Sequence, residues 1–259
     1  MLFSARLKPY HFLGWSYLVC FTVFFVLHGK NYYLAPIYPV LLAAGAVMLD
    51  SAIDGKKFLS GEESKPRRAW LKPAIVLILI ASGGHLAPVT VPMLSPDYFL
   101  AYAKTLPMKL PVMEKNHARA ALPQWYADQF GWQEIVDETA VAWNRLTPEE
   151  RTDKNCGIFA QDYGQAGAID FLGRKYGLPR SLSGHQTWFL WGPQGYSGNC
   201  LIVLGDRRSR LEQLFDHVEY VGTSADNPWA LEKEISVYTC RGPKFGSLTN
   251  LWPELERWN

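Results

Sequence analysis

Metal-site spacing is missing from this sequence. Its four cysteines, Cys20, Cys156, Cys200 and Cys240, include no C-x-x-C pair, so no structural zinc and no other metal or cofactor is implied. A block of Lys/Arg interleaved with base-stacking aromatics is equally absent, which sets nucleic acid aside as a partner. Internal repeats and low-complexity tracts are lacking as well, leaving out solenoids and disordered tails. Carboxylates are scarce in one part of the chain only. Residues 1–94 carry four Asp/Glu against nine Lys/Arg, whereas 95–259 carry twenty against seventeen. The net charge of +2 and a mean hydropathy near zero therefore average two unlike parts.

What the first part has is apolar length. Three nearly uncharged runs, at about 12–28, 32–50 and 73–94, approach or reach the roughly 20 residues needed to span a hydrocarbon core. They have no polar face to show water, which argues against buried helices of a soluble protein. Arg6 and Lys8 before the first run would suit a signal peptide. No small-x-small cleavage site follows, however, and a second apolar run comes at once, so the run reads as a retained span. The loop DGKKFLSGEESKPRRAWLK between runs two and three carries Lys56, Lys57, Lys65, Arg67, Arg68 and Lys72, against Lys30 alone between runs one and two. The positive-inside bias places residues 54–72 in the cytoplasm. The short loop HGKNYY and everything after residue 94 then lie outside. The expectation is a multi-pass protein of the inner (plasma) membrane with an extracytoplasmic, periplasmic-type carboxy-terminal domain. Three cysteines in such a domain permit one disulfide with one thiol left over; all three lie on apolar, strand-like segments, so buried free thiols are the other expectation.

Residues 95–122, rich in Pro, Met and Lys, read as an extended connector with a short helix around Pro96–Thr105. The domain proper is then 123–259. Gln133–Leu146 places Ile135, Val136, Thr139, Ala142, Trp143 and Leu146 on one helical stripe. After it, short apolar segments (CGIFAQDYG, NCLIVLG, HVEYVGT, KEISVYTC) alternate with helical patterns at 164–176 and in DRRSRLEQLFD. That alternation predicts an α/β domain with a mainly parallel sheet. Ligands of open α/β sheets collect at the carboxyl ends of strands. There stand Asp162 and Tyr163, and the glycine- and aromatic-rich segment SGHQTWFLWGPQGYSG adds His185, Gln186, Trp188 and Trp191. Polar groups beside aromatic faces suit a sugar or a sugar acceptor; the competing reading is that both tryptophans pack on the sheet. GQAG, residues 164–167, has part of a phosphate-loop pattern without its full spacing.

HGKNYYLAPIYPVLLAAGAV, then LPQWYADQFGWQEIV, DYGQAGAIDFLG, SGHQTWFLWGP and the terminal CRGPKFGSLTNLWPELERW form a run of motifs in order. With them the chain resembles the carboxy-terminal half of bacterial glycosyltransferase family 39 proteins, of GT-C type. These are kin of dolichyl-phosphate-mannose–protein mannosyltransferases and of aminoarabinose transferases. The resemblance covers nearly the whole chain. It implies an enzyme that moves a sugar from a polyprenyl phosphate at the outer face of the membrane. It also implies that a lysine and a tyrosine at the outer ends of spans hold the donor phosphate. Lys30, Tyr32 and Tyr33 are the matching positions, since an ammonium and phenol hydroxyls suit phosphate oxygens. The alternative there is a snorkelling lysine in an aromatic belt.

The family's acidic catalytic residue lies on the first outer loop, upstream of this material, and HGKNYY contains no carboxylate. The expected partners are therefore the polyprenyl-phosphate sugar, membrane lipid, and the remaining amino-terminal spans as a separate chain. By this reading the segment alone is inactive. Two other readings stand beside it: a non-catalytic, membrane-anchored module that binds carbohydrate or protein, and a structural subunit whose spans pack on a larger partner.

Overall fold

The computed structural model describes residues 5–29, 31–54, 70–107, 121–152 and 154–258. The chain divides into two compact units, Met1–Val91 and Pro92–Asn259.

In the first unit a 3-10 turn, Ala5–Tyr10, leads into α1 (His11–Val26). A 3-10 segment, Asn31–Ile37, leads into α2 (Tyr38–Asp54), and α3 covers Leu71–Thr90. Lys8–Val26, Tyr32–Ile53 and Leu71–Thr90 are long and apolar enough to cross a membrane. Several polar side chains in them turn inward on their own helix. The hydroxyls of Thr22 and Ser51 donate to the carbonyls of Leu18 and Val47, one turn back. A helix in hydrocarbon must satisfy its polar groups in this internal way. Pro36 falls in the 3-10 segment and Pro39 is the second residue of α2, where a missing N–H costs little. The third apolar run was expected to reach Leu94, but α3 stops at Thr90. Val91 precedes Pro92, and the proline ring drives the preceding residue to extended backbone, here φ −115° and ψ 125°.

The second unit begins earlier than the composition suggests. Residues 95–122 were expected to form an extended connector with a short helix around Pro96–Thr105; that helix is present, and it is packed into the unit. In α4 (Pro96–Ala103), Phe99 is fully buried with its ring 4.1 Å from that of Tyr126 in α5 (Gln124–Ala127). The Tyr126 hydroxyl donates to the Leu94 carbonyl at 2.9 Å and accepts from the Leu94 N–H at 3.0 Å. Leu122, Phe130, Trp229 and Leu231 complete this small cluster. Trp229 and Leu231 join it from roughly a hundred residues further along the chain, a pairing that no local pattern announces. Residues 108–120 lie outside the described residues.

The main body follows as α6 (Trp132–Arg145), β1 (Cys156–Phe159), α7 (Tyr163–Leu172), β2 (Cys200–Leu204), α8 (Arg208–Leu214), β3 (Phe215–Thr223), β4 (Ser236–Pro243) and α9 (Leu248–Leu251). The stripe on α6 is buried as its 3.6-residue spacing requires, with Ile135, Val136, Thr139 and Ala142 fully covered. The strand order is β1-β2-β4-β3. β1 and β2 pair in parallel, whereas β4 is antiparallel to both β2 and β3. The sheet is therefore mixed, not mainly parallel. β1, β2 and β3 point the same way because helices connect them. β3 and β4 are joined by 12 residues without a helix, so the chain can only turn back, and it inserts β4 into the slot beside β2. β1 and β2 are apolar and buried throughout because both faces are covered. α6 and α7 pack on one face; α8, α9 and Trp252 pack on the other. Edge strand β3 instead exposes the carboxylates of Asp216 and Glu219, charges that discourage pairing with another chain.

Candidate functional site

Of the expected rim residues, the structure brings Tyr163 against His185 and Trp188 against Trp191. Asp162 caps α7, its Oδ1 accepting from the Gln165 N–H at 2.9 Å. The Tyr163 N–H, next in line, donates to Nδ1 of His185 at 3.3 Å, and the two rings stack with centroids 5.0 Å apart. That bond makes Nδ1 the acceptor, so a neutral His185 carries its proton on Nε2 and can donate there. Burial pushes the His185 pKa down; Asp162 opposes this and Arg257 adds to it. His185 is accordingly a neutral donor at pH 7. The segment Gln186–Trp191 is a 3-10 turn that starts in left-handed backbone, with Gln186 at φ 51°. It carries Trp188 against Trp191, centroids 4.6 Å apart, with the Arg180 guanidinium 5.1 Å over the Trp191 ring. Trp188 also packs on the α6/α7 core, as the competing reading of the tryptophans expects. Its indole Nε1–H is buried with no hydrogen-bond partner among the described residues. An orphan donor of this kind calls for a ligand or an ordered water.

Several members of the site were not legible as such. The Gln165 side chain, buried, accepts from the Gln161 N–H and donates to Glu232 at 2.8 Å. Gln161 reaches Asp206 at 3.4 Å, and Asp206, directly beyond β2, faces Arg210 at 3.9 Å. Arg257 closes the group from the chain's last turn, donating to the carbonyl of Gln161 and to its Oε1. Asp206 carried the same signal as Asp162, a polar residue just after an apolar strand. Arg257 had none, lying 96 residues from Gln161.

A Cβ at Gly164 of GQAG would press on the Trp132 ring at 2.7 Å, so this glycine serves close packing. Asp162 and Asp170 each accept from nearby backbone N–H groups. Asp170 accepts from the Ser181 N–H and hydroxyl at 2.7 and 2.8 Å and faces Arg180 at 3.5 Å. On the opposite sheet face, α8, Phe245 and Leu248 border an apolar cleft of about 50 Å³, edged by Arg210, Glu254 and Arg257. At that size it takes a few waters, since one needs roughly 10–15 Å³. Among the described residues no group of three or more His, Cys, Asp or Glu is placed to hold a metal ion.

Of the donor-phosphate candidates, Lys30 lies outside the described residues. Tyr32 and Tyr33 belong to the first unit, on the 3-10 segment before α2. Their rings meet edge to face at 4.9 Å, Tyr33 is 5.5 Å from the Phe24 ring, and both are about half exposed. No family model, curated protein or solved structure matches the chain.

Proposed function

We propose that this chain is the donor-binding and outer-domain part of a membrane glycosyltransferase that uses a polyprenyl-phosphate-linked sugar. The observation that carries the reading is the Tyr163–His185 stack next to Asp162 beyond the carboxyl end of β1, with the Trp188–Trp191 pair following on the same segment as His185. A sugar offers C–H faces for the rings and hydroxyls for the His185 Nε2–H. Three membrane-length helices agree with a lipid-linked donor. The Cys156–Cys200 disulfide agrees with an oxidising, extracytoplasmic setting for the domain. A second reading, a non-catalytic carbohydrate-binding module, is favoured by one observation: Asp162 and Asp170 are both spent on local structure rather than poised as bases.

The test is binding of a polyprenyl-phosphate sugar to the full chain in nanodiscs. Lys30→Ala removes a charge-assisted hydrogen bond worth about 1.5–3 kcal/mol, so affinity is expected to fall roughly ten- to a hundredfold. Lys30→Arg keeps the charge and retains part of the affinity. His185→Ala lowers affinity for the lipid-linked sugar but not for the sugar-free lipid phosphate. Equal binding by Lys30→Ala and the unaltered chain would leave Lys30 as an interface anchor. Turnover by the chain alone would exclude the binding-module reading.

Topology has its own check. A cysteine probe at Ala225, exposed on the β3–β4 connection, is expected to label from outside in intact cells. One at Ser60 labels only after permeabilisation. Labelling of the Ser60 probe in intact cells reverses the assignment.

A further inference from the structure

Next to the carboxyl-edge cluster, the outer side of α7 runs into an exposed apolar patch. Tyr163, Gly167 and Phe171 stand at i, i+4 and i+8 on one stripe of α7. Gly167 faces the Trp188 ring, and Trp188 leans on Trp191. Phe171 is 73% exposed, Leu190 68% and Trp191 50%. Lone exposed hydrophobics are common on soluble proteins, whereas large ones gathered beside a stacked guanidinium mark an interaction surface. The charges here are Arg180 over Trp191, Arg174 donating to the Asp170 carbonyl, and the Asp170 carboxylate facing Arg180. The patch is thus aromatic and aliphatic with a small excess of guanidinium.

We propose that this patch seats on the bilayer interface, taking phospholipid headgroups and the upper acyl region as its occupant, with a preference for anionic lipid. The inference rests on the membrane reading of the three helices. Tryptophan favours the headgroup level, phenylalanine and leucine enter the acyl boundary, and arginine keeps its stem apolar and its head among phosphates. Chain continuity adds a second argument. The domain unit starts at Pro92, two residues beyond the end of α3 at Thr90, and is tethered by that short link to whatever bilayer α3 enters. Such tethering gives a high effective concentration, so a patch of modest intrinsic affinity suffices. A lipid-linked sugar sits at that same level, which would bring the adjoining His185 cluster to it.

The test uses the full chain in nanodiscs with Cys20→Ser and an environment-sensitive fluorophore on Thr187→Cys, exposed within the 186–191 turn. A second sample carries the probe on Ala225→Cys. Discs contain lipids with a nitroxide quencher at shallow depth. The Thr187 probe is expected to be quenched and the Ala225 probe spared. Phe171→Asp and Leu190→Asp, both at exposed positions and so tolerated by the fold, are expected to abolish the quenching. Arg174→Gln should weaken the preference for anionic over zwitterionic discs by at most roughly fivefold, the effect of one surface charge. A chain that does not enter discs at all removes the membrane reading and the patch with it. A chain that enters, yet shows equal quenching at Thr187 and Ala225, overturns the docking surface alone.

Discussion

Replacing Cys156 and Cys200 with serine is expected to lower the stability of the domain unit by about 4 kcal/mol, the chain-entropy value for a bridge of this span. The two residues are register partners on adjacent parallel strands and 44 apart in sequence. The loop they close contains α7, Gln186–Trp191 and with them Asp162, Tyr163 and His185. Losing the bridge therefore frees the site's own segment in the unfolded chain, and the expected shift is a lower urea midpoint with activity-independent readout. Cys240 offers no substitute partner. It lies in the core on the other sheet face, and burial pushes its thiol up to about 12. Alkylation at pH 8 should accordingly leave Cys240 unmodified in the native chain and modify it after unfolding without reductant. All four react once the chain is reduced and unfolded. Four reactive thiols in the unfolded, unreduced chain, or an unchanged urea midpoint for the double serine variant, would show that the bridge is not formed.

That pairing also shows where sequence reasoning reaches its limit. Three cysteines on strand-like segments leave the pairing open, because only the register of β1 against β2 brings two of them together. The α6 stripe was legible since helical periodicity is local, and so were β1 and β2, whose unbroken apolar runs need no partner to be recognised. Strand order was not. β3 and β4 each read as strands, but the sheet became mixed through the slot β4 occupies, a non-local choice. For the same reason Phe99 was read into a connector: its partner Tyr126 lies beyond residues that carry no apolar periodicity. Within the site, Asp162, Tyr163 and His185 were found because strand ends and glycine-rich turns are marked in sequence. Gln161, Asp206 and Arg257 complete them through contacts 45 to 96 residues long, which no spacing encodes.

The arrangement of the sheet explains why the site forms where it does. Leu182 returns to the outer side of β1, its N–H donating to Ile158 and its carbonyl accepting from Ala160. The chain then runs through Gln186–Trp191, with Trp188 against the core of one sheet face and Phe189 against that of the other, before β2 starts beside Cys156 at the amino end of β1. Asp162, Tyr163 and His185 are left beyond the carboxyl end of β1, the side on which α/β sheets hold ligands. The chain's last turn pairs with the backbone on either side of His185. Arg257 N–H donates to the Gly184 carbonyl at 2.9 Å, and the Gln186 N–H donates to the Arg257 carbonyl at 2.7 Å.

Gly184→Ala is therefore expected to damage both the fold and the site. A Cβ at residue 184 would fall far inside contact distance of the Leu255 carbonyl, and backbone cannot swing aside as a side chain can. Relieving the clash means lifting Leu255–Arg257 away. Overpacking of this kind costs about 1–3 kcal/mol, and each of the two backbone hydrogen bonds lost adds about 0.5–1.5 kcal/mol. Gly177→Ala is the control: its φ is +68° but an added Cβ meets nothing within 4 Å, so only the roughly 1 kcal/mol of left-handed strain applies. The two variants should separate clearly in thermal unfolding. A second readout follows the site itself. The Arg257 charge disfavours protonated His185, so lifting Arg257 away lets the His185 pKa rise, though burial still holds it down. Protonated His185 would then persist to higher pH than in the unaltered chain, visible as a shifted imidazole titration by NMR. Arg257→Gln, which removes the charge without any clash, is expected to raise the same pKa while leaving the backbone pairing to Gly184 and Gln186 in place. No change in the His185 titration in either variant would mean that the last turn does not reach the site.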